Sequence, residues 1–169
     1  MRFAAHYDYT VPPTRLSELL TDRDFLVESA LAAGAESASA ELLDSPDSNH
    51  TVLIRSAIPP DQFPATVKAF LPQGLELRQA LVWEAPDDDG SRQALISGEI
   101  AGAPVELHGL VLLRPTPDGS RAEFSGEVES QIPLVGRAVE EAALPVVLKA
   151  LDAQHQVAQE WLERPGAGA

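Results

Sequence analysis

The sequence predicts an α+β fold: a curved antiparallel sheet of about six to seven strands wrapped around one long C-terminal helix, with two short helices after the first strand. Three observations predict it. Residues Leu134 to Glu163 carry a single helical periodicity of polar and apolar positions. Much of the chain before them alternates apolar and polar residues between turn signals, the pattern of half-buried strands joined in hairpins. The third observation is that only the terminal helix is long enough to cover the packed face of such a sheet.

The elements follow in order. Arg2 to Tyr9 alternates, with Phe3, Ala5, Tyr7 and Tyr9 on one face and Arg2, His6 and Asp8 on the other. Pro12-Pro13 stops this strand and opens a helix, because proline suits the first helical turn. Leu16, Leu19 and Leu20 share that helix's apolar face. Thr21 or Asp22 caps a second short helix carrying Phe25, Leu26, Ala30 and Ala33, and Gly34 suits its stop. Ser37 to Leu43 is a weakly signalled strand, Asp44 to Asn49 a turn, and Thr51 to Ile58 the returning strand. After Pro59-Pro60, the residues Val67, Phe70 and Leu71 mark a short helix or an irregular lid.

From Leu75 the alternation is clearest. Leu75, Leu77, Leu81 and Trp83 face one way, and Glu76, Arg78 and Glu84 the other. A turn from Pro86 to Ser91 leads to a strand near Arg92 to Ile100, and Ala101 to Pro104 turns into Val105 to Arg114. Asp118-Gly119 is a hairpin signal. The last strand sends Ala122, Phe124, Gly126 and Val128 inward and Glu123, Ser125, Glu127 and Glu129 outward.

In the terminal helix Glu141, Lys149, Asp152, Gln156, Glu160 and Glu163 mark the polar face. Val139, Ala143, Val146, Val147, Ala150, Leu151, Val157, Trp161 and Leu162 lie opposite. At ~1.5 Å per residue the segment spans roughly 45 Å. Pro145 aligns with Glu141 and Lys149, so the helix is expected to run through it and bend the apolar stripe inward. A start near Val146 is the alternative, since an interior proline costs about 3 kcal/mol. Residues 1–164 read as one domain and 165–169 as a flexible tail.

The 26 acidic and 12 basic residues give a net charge of −14, which repels nucleic acid and anionic membrane surfaces. The chain has no cysteine, so disulfides, thiolate metal sites and a cysteine nucleophile are excluded. No apolar run reaches the ~18 residues of an integral membrane segment, and no secretory leader is evident, so the chain reads as cytoplasmic. Nothing in the pattern specifies an oligomeric state.

Motifs for chemistry are sparse. His50 belongs to a hairpin, and alternation sends His6 and His108 to the outer face. Asp152 and His155, three apart on the helix, have metal-ligand spacing, but both are placed toward the polar side and no second pair accompanies them. Asp87-Asp88-Asp89 lacks the spacing of a calcium loop and reads as a solvated turn. No phosphate loop, dinucleotide fingerprint or nucleophile elbow occurs. No catalytic residue, metal site or cofactor is called for.

The strand Met1-Arg2-Phe3 running into Val11-Pro12-Pro13-Thr14-Arg15-Leu16 carries a family likeness, as does Leu19-Leu20-Thr21-Asp22-Arg23-Asp24-Phe25. So does Gly126 to Gly136, followed by Glu140 and the terminal helix. On these segments the chain resembles the START/polyketide-cyclase/birch-pollen-allergen superfamily (SRPBCC), within it an uncharacterised bacterial subfamily. The resemblance implies a helix-grip fold and a hydrophobic ligand. Fold-level likeness goes no further, because function in this fold depends on the pocket.

The residues expected to line such a pocket are Trp83 and Phe124 on the inward stripes, Val147 and Leu151 opposing them from the helix, and Tyr7 and Phe70 at an entrance. Gln79, the one polar residue in the Leu75–Trp83 stripe, is placed to orient a hydroxyl or carbonyl. All of these residues equally suit a filled core. The expected partner is a small hydrophobic molecule. Two alternatives stand beside a carrier: a cyclase- or aromatase-type enzyme using the same cavity, and an interaction protein with a filled core.

Overall fold

The computed structural model describes residues 1–164 apart from 48 and 70, and apart from the side chain of 66. Chain order is β1 (Arg2–Tyr9), α1 (Pro13–Leu20), α2 (Arg23–Ala32), β2 (Ser37–Asp44), β3 (His50–Ile58), a 3-10 turn (Pro60–Gln62) and α3 (Ala65–Lys68). Then follow β4 (Leu75–Trp83), β5 (Arg92–Ile100), β6 (Val105–Thr116), β7 (Gly119–Ser130) and α4 (Gly136–Glu163). The strands form one seven-stranded sheet in the order β1-β7-β6-β5-β4-β3-β2, and each neighbouring pair is antiparallel.

From β2 to β7 each strand pairs with its successor, and short turns join them except between β3 and β4, where residues 59–74 hold the 3-10 turn and α3. The β6–β7 turn closes on Thr116 opposite Gly119, at the expected Asp118-Gly119 signal. β1 is the exception: it pairs with β7, while β2 occupies the opposite edge. The helices α1 and α2 therefore carry the chain from one edge of the sheet to the other. Pro13 opens α1, and Asp22 caps α2 by accepting a 2.9 Å bond from the Phe25 amide.

The inward side chains form two clusters. One joins Leu16, Leu19, Phe25 and Leu26 of the short helices to Trp83, Val111, Leu113 and Ala122 of the sheet and to Val157 and Ala158 of α4. Phe25 meets Trp161 edge-on at 5.7 Å, and the Trp161 indole donates to Glu28 at 2.7 Å. This end of α4 is anchored. The second cluster has Phe3, Val105 and Val128 at its centre, with Val139, Ala143 and Val147 only half-buried against them. An apolar stripe that stays half-buried beside a sheet faces space.

Two details of α4 differ from expectation or bear on it. The helix begins at Gly136 instead of Leu134. Leu134 adopts φ 70° and stands fully exposed, because the chain must reverse between β7 and α4. At Gly136 a Cβ would lie 2.8 Å from the Ser130 carbonyl oxygen, so glycine permits the close approach there. The helix is continuous through Pro145, which sits exposed on its outer side. Among the described residues no helix is long and apolar enough to cross a membrane.

Candidate functional site

A cavity of about 220 Å³ lies between the inner face of the sheet and the N-terminal half of α4. Its floor is the inward stripe of six strands: Phe3, then Ser56 and Ile58, Leu75, Leu77 and Gln79, Ile96, Gly98 and Ile100, Val105 and Leu107, and Phe124 and Val128. Its roof is Ala143, Val146, Val147, Ala150 and Leu151 of α4. Ala30 of α2, Ala33 just after it, and Gln62 and Phe63 of the β3–β4 connection line one end, where the exposed Lys149 meets solvent.

Space persists here for local reasons. Gly98 contributes no side chain at an inward position between Ile96 and Ile100. On α4 the facing residues are short, from Ala143 to Ala150, so helix and sheet stay apart without large side chains to fill the gap.

The wall is apolar with few polar groups. Gln79 and Ser56 supply them on the floor, and Lys149 donates to the Gln62 side-chain oxygen at 3.0 Å where α4 meets the β3–β4 connection. Glu99 and Glu106 also border the cavity, but their carboxylates lie on the outer face, where Glu99 pairs with Arg78 at 3.7 Å and Glu106 with His108 at 3.3 Å.

The sequence-named residues separate into groups. Gln79, Phe124, Val147 and Leu151 all line this one cavity. Trp83 does not: it is fully buried under Arg92, whose guanidinium lies 5.5 Å from the ring centroid and bonds the Glu84 carbonyl and the Ser17 hydroxyl. Trp83 thus takes the core role the sequence equally allowed. Tyr7 lies beside the C-terminal half of α4, donating to Asp152 at 2.7 Å and stacked on His155 at 4.8 Å. Burial, then the bond to Asp152, pushes its phenol well above the usual tyrosine range, which disfavours a phenolate. Phe70 falls outside the described residues.

His155 is not on the polar face as expected. It stacks on Tyr7 and meets Tyr9 edge-on at 5.0 Å, and its Nδ1 is buried with no hydrogen-bond partner among the described residues. The reason is spacing: His155 stands four residues after Leu151 and three before Ala158, within the inward stripe. Asp152, three residues before it, is engaged by the Tyr7 hydroxyl. Among the described residues no cluster of three or more His, Asp or Glu could hold a metal ion.

The outer face carries a separate trough of about 280 Å³ lined by Leu53, Arg55, Arg78, Ala80, Ser97, Glu99, Glu106 and His108. Its floor includes Gln79 and Gly98, so the sheet there is a single wall between the trough and the cavity. Arg78 is engaged by Glu76 at 2.7 Å and by Glu99, and His108 by Glu106, the arrangement of a solvated ion-pair surface.

Pattern reading missed Gln62, Phe63, Ile96, Ile100 and Lys149 as cavity residues. Ile96 and Ile100 share the alternation that placed their neighbours and could have been found by it. Gln62 and Phe63 sit in a proline-rich connection with no periodicity to read.

A curved antiparallel sheet gripping a long C-terminal helix over an apolar cavity defines a helix-grip protein. Residues 4–162 match the model of the family described as protein of unknown function DUF2505, and the chain belongs to that family. Comparison with curated proteins gives no match. Solved structures share the fold. A protein from Rhizobium leguminosarum is similar at TM-score 0.58 and 11% identity, over 95% of each chain. A Mycobacterium smegmatis protein is similar at TM-score 0.54 and 15% identity, over 95% of this chain and 90% of that one. A STAR-related lipid transfer protein fragment from Xanthomonas axonopodis is similar at TM-score 0.53 and 15% identity, over 92% of this chain and 84% of that one.

Proposed function

We propose that this chain binds and carries a small hydrophobic molecule in the cavity between the sheet and α4, and that its family is a branch of the SRPBCC superfamily. The observation that carries the reading is the lining itself. Aliphatic side chains with Phe3, Phe63 and Phe124 surround a space of about 220 Å³, interrupted on the floor by the Gln79 amide and the Ser56 hydroxyl. Such a wall favours apolar matter, and a single amide fixes its orientation. The fold shared with a protein described as STAR-related lipid transfer supports the same class of ligand.

The polar groups at hand favour holding over reacting. Gln79 and Ser56 offer hydrogen bonds, and the carboxylates bordering the cavity lie on its far side. A cyclase-type reaction would call for an inward acid or base beside the ligand.

The test is native mass spectrometry of the purified chain, with titration of an environment-sensitive naphthalene dye. A retained organic mass, or saturable dye binding of one molecule per chain, is expected. Absence of both in the folded protein would remove the proposal.

A further inference from the structure

We infer that the ligand is an anionic amphiphile, a medium-chain carboxylate whose head is met by Lys149 and Gln62 and whose alkyl chain runs inward toward Phe124. This rests on the apolar-ligand reading above and adds the chemistry of the head.

Lys149 borders the cavity while remaining exposed, which places its ammonium where the apolar interior meets solvent. Its bond to the Gln62 oxygen uses one of three ammonium donors, and no carboxylate of the described residues pairs with it. In a chain with 26 acidic residues this leaves donor capacity free at the opening.

Gln62 lies against Gly34, where a Cβ would be 2.5 Å from its side-chain oxygen, and Gly34 has the positive φ of 109° that favours glycine. With its oxygen on Lys149, the Gln62 amide retains its NH₂ as a donor. An ammonium and an amide NH₂ therefore lie next to one another at the edge of the apolar space, where a carboxylate would accept from both. The Glu99 and Glu106 carboxylates, paired on the outer face, do not compete for that position.

At ~30 Å³ per water-sized group, the space of about 220 Å³ takes roughly seven such groups, so a chain of about eight carbons with its head at the mouth suits it.

The experiment is calorimetric titration of the full chain with octanoate, 1-octanol and octylammonium at physiological salt. Octanoate should bind roughly tenfold tighter than octanol, and octylammonium more weakly than either. Lys149→Gln should abolish the octanoate advantage while leaving octanol affinity in place, and Lys149→Glu should turn the preference toward octylammonium. Lys149 is exposed, so both variants should melt with the wild type. Equal binding of octanoate and octanol by the wild type, or an octanoate advantage that survives Lys149→Gln, overturns the anionic head and leaves the apolar reading standing. Failure of all three probes to bind overturns the apolar reading and this inference with it.

Discussion

Gln79 of β4 stands directly opposite Gly98 of β5, and this pair belongs at once to the floor of the inner cavity and to the floor of the outer trough. A Cβ added at Gly98 would meet the Leu107 Cβ at 3.4 Å and the Gln79 Cγ at 3.7 Å, ordinary van der Waals contact. The missing side chain thus leaves room without being demanded by the backbone. Gly98→Val should fill part of the cavity and weaken dye or octanoate binding at least tenfold. Denaturant unfolding should show equal stability or a gain of about 0.5–1 kcal/mol, since glycine weakens a strand.

Gly126 behaves oppositely. It pairs with Gly109, and a Cβ there would run into the His108 carbonyl oxygen, the Phe3 ring at 2.8 Å and the Gly109 Cα at 2.9 Å. Two of those neighbours are backbone, which cannot step aside cheaply. Gly126→Ala should cost about 1–3 kcal/mol in urea unfolding, against the mild effect at Gly98.

Tyr7→Phe removes the 2.7 Å bond to Asp152 while keeping the ring stacked on His155. The bond is exposed, so the loss should be about 0.5–1 kcal/mol by thermal or chemical melting. Probe affinity should stay unchanged, because Tyr7 does not line the cavity.

His155 predicts an acid dependence. Burial holds its ring below the ordinary value of 6.5, against the opposing pull of Asp152 and Asp8, with Tyr7 stacked on it and Tyr9 meeting it edge-on. The unfolded chain therefore takes up this proton at higher pH than the folded one. Stability attributable to His155 is full above pH ~6.5 and declines as pH falls through the folded-state value. His155→Phe should flatten the loss measured between pH 7.5 and 5. A wild type and variant with parallel pH profiles would refute the assignment.

Much of the sheet was legible because alternation has a period of two, and each inward residue from Leu75 to Trp83 fell on the predicted face. Periodicity could not tell which inward positions meet a neighbour. Trp83 and Gln79 share one face of β4, yet Trp83 packs beside Arg92 and the α1 helix while Gln79 lies under the spaced half of α4. That difference is set by α1 and α2 crossing between the sheet edges, a long-range relation that local pattern does not encode. Lys149 was read as polar-face, which its exposure bears out, but a lysine stem reaches well past its own helical position. His155 was misplaced because a histidine within an apolar stripe breaks the contrast by which the stripe is recognised.

Pro145 removes an amide donor from the part of α4 suspended above the cavity, whereas Trp161 and Arg164 tie the far end to Glu28. Near its start α4 is held too, by Glu140, which accepts from the Ser130 amide at 3.0 Å and pairs with the Met1 ammonium at 3.6 Å, so the helix resembles a beam pinned at both ends and scored between them. Backbone amides around residues 143–149 should exchange with deuterium sooner than those around 155–161, and a guest molecule entering beside that scored stretch would need no unfolding of either pinned end.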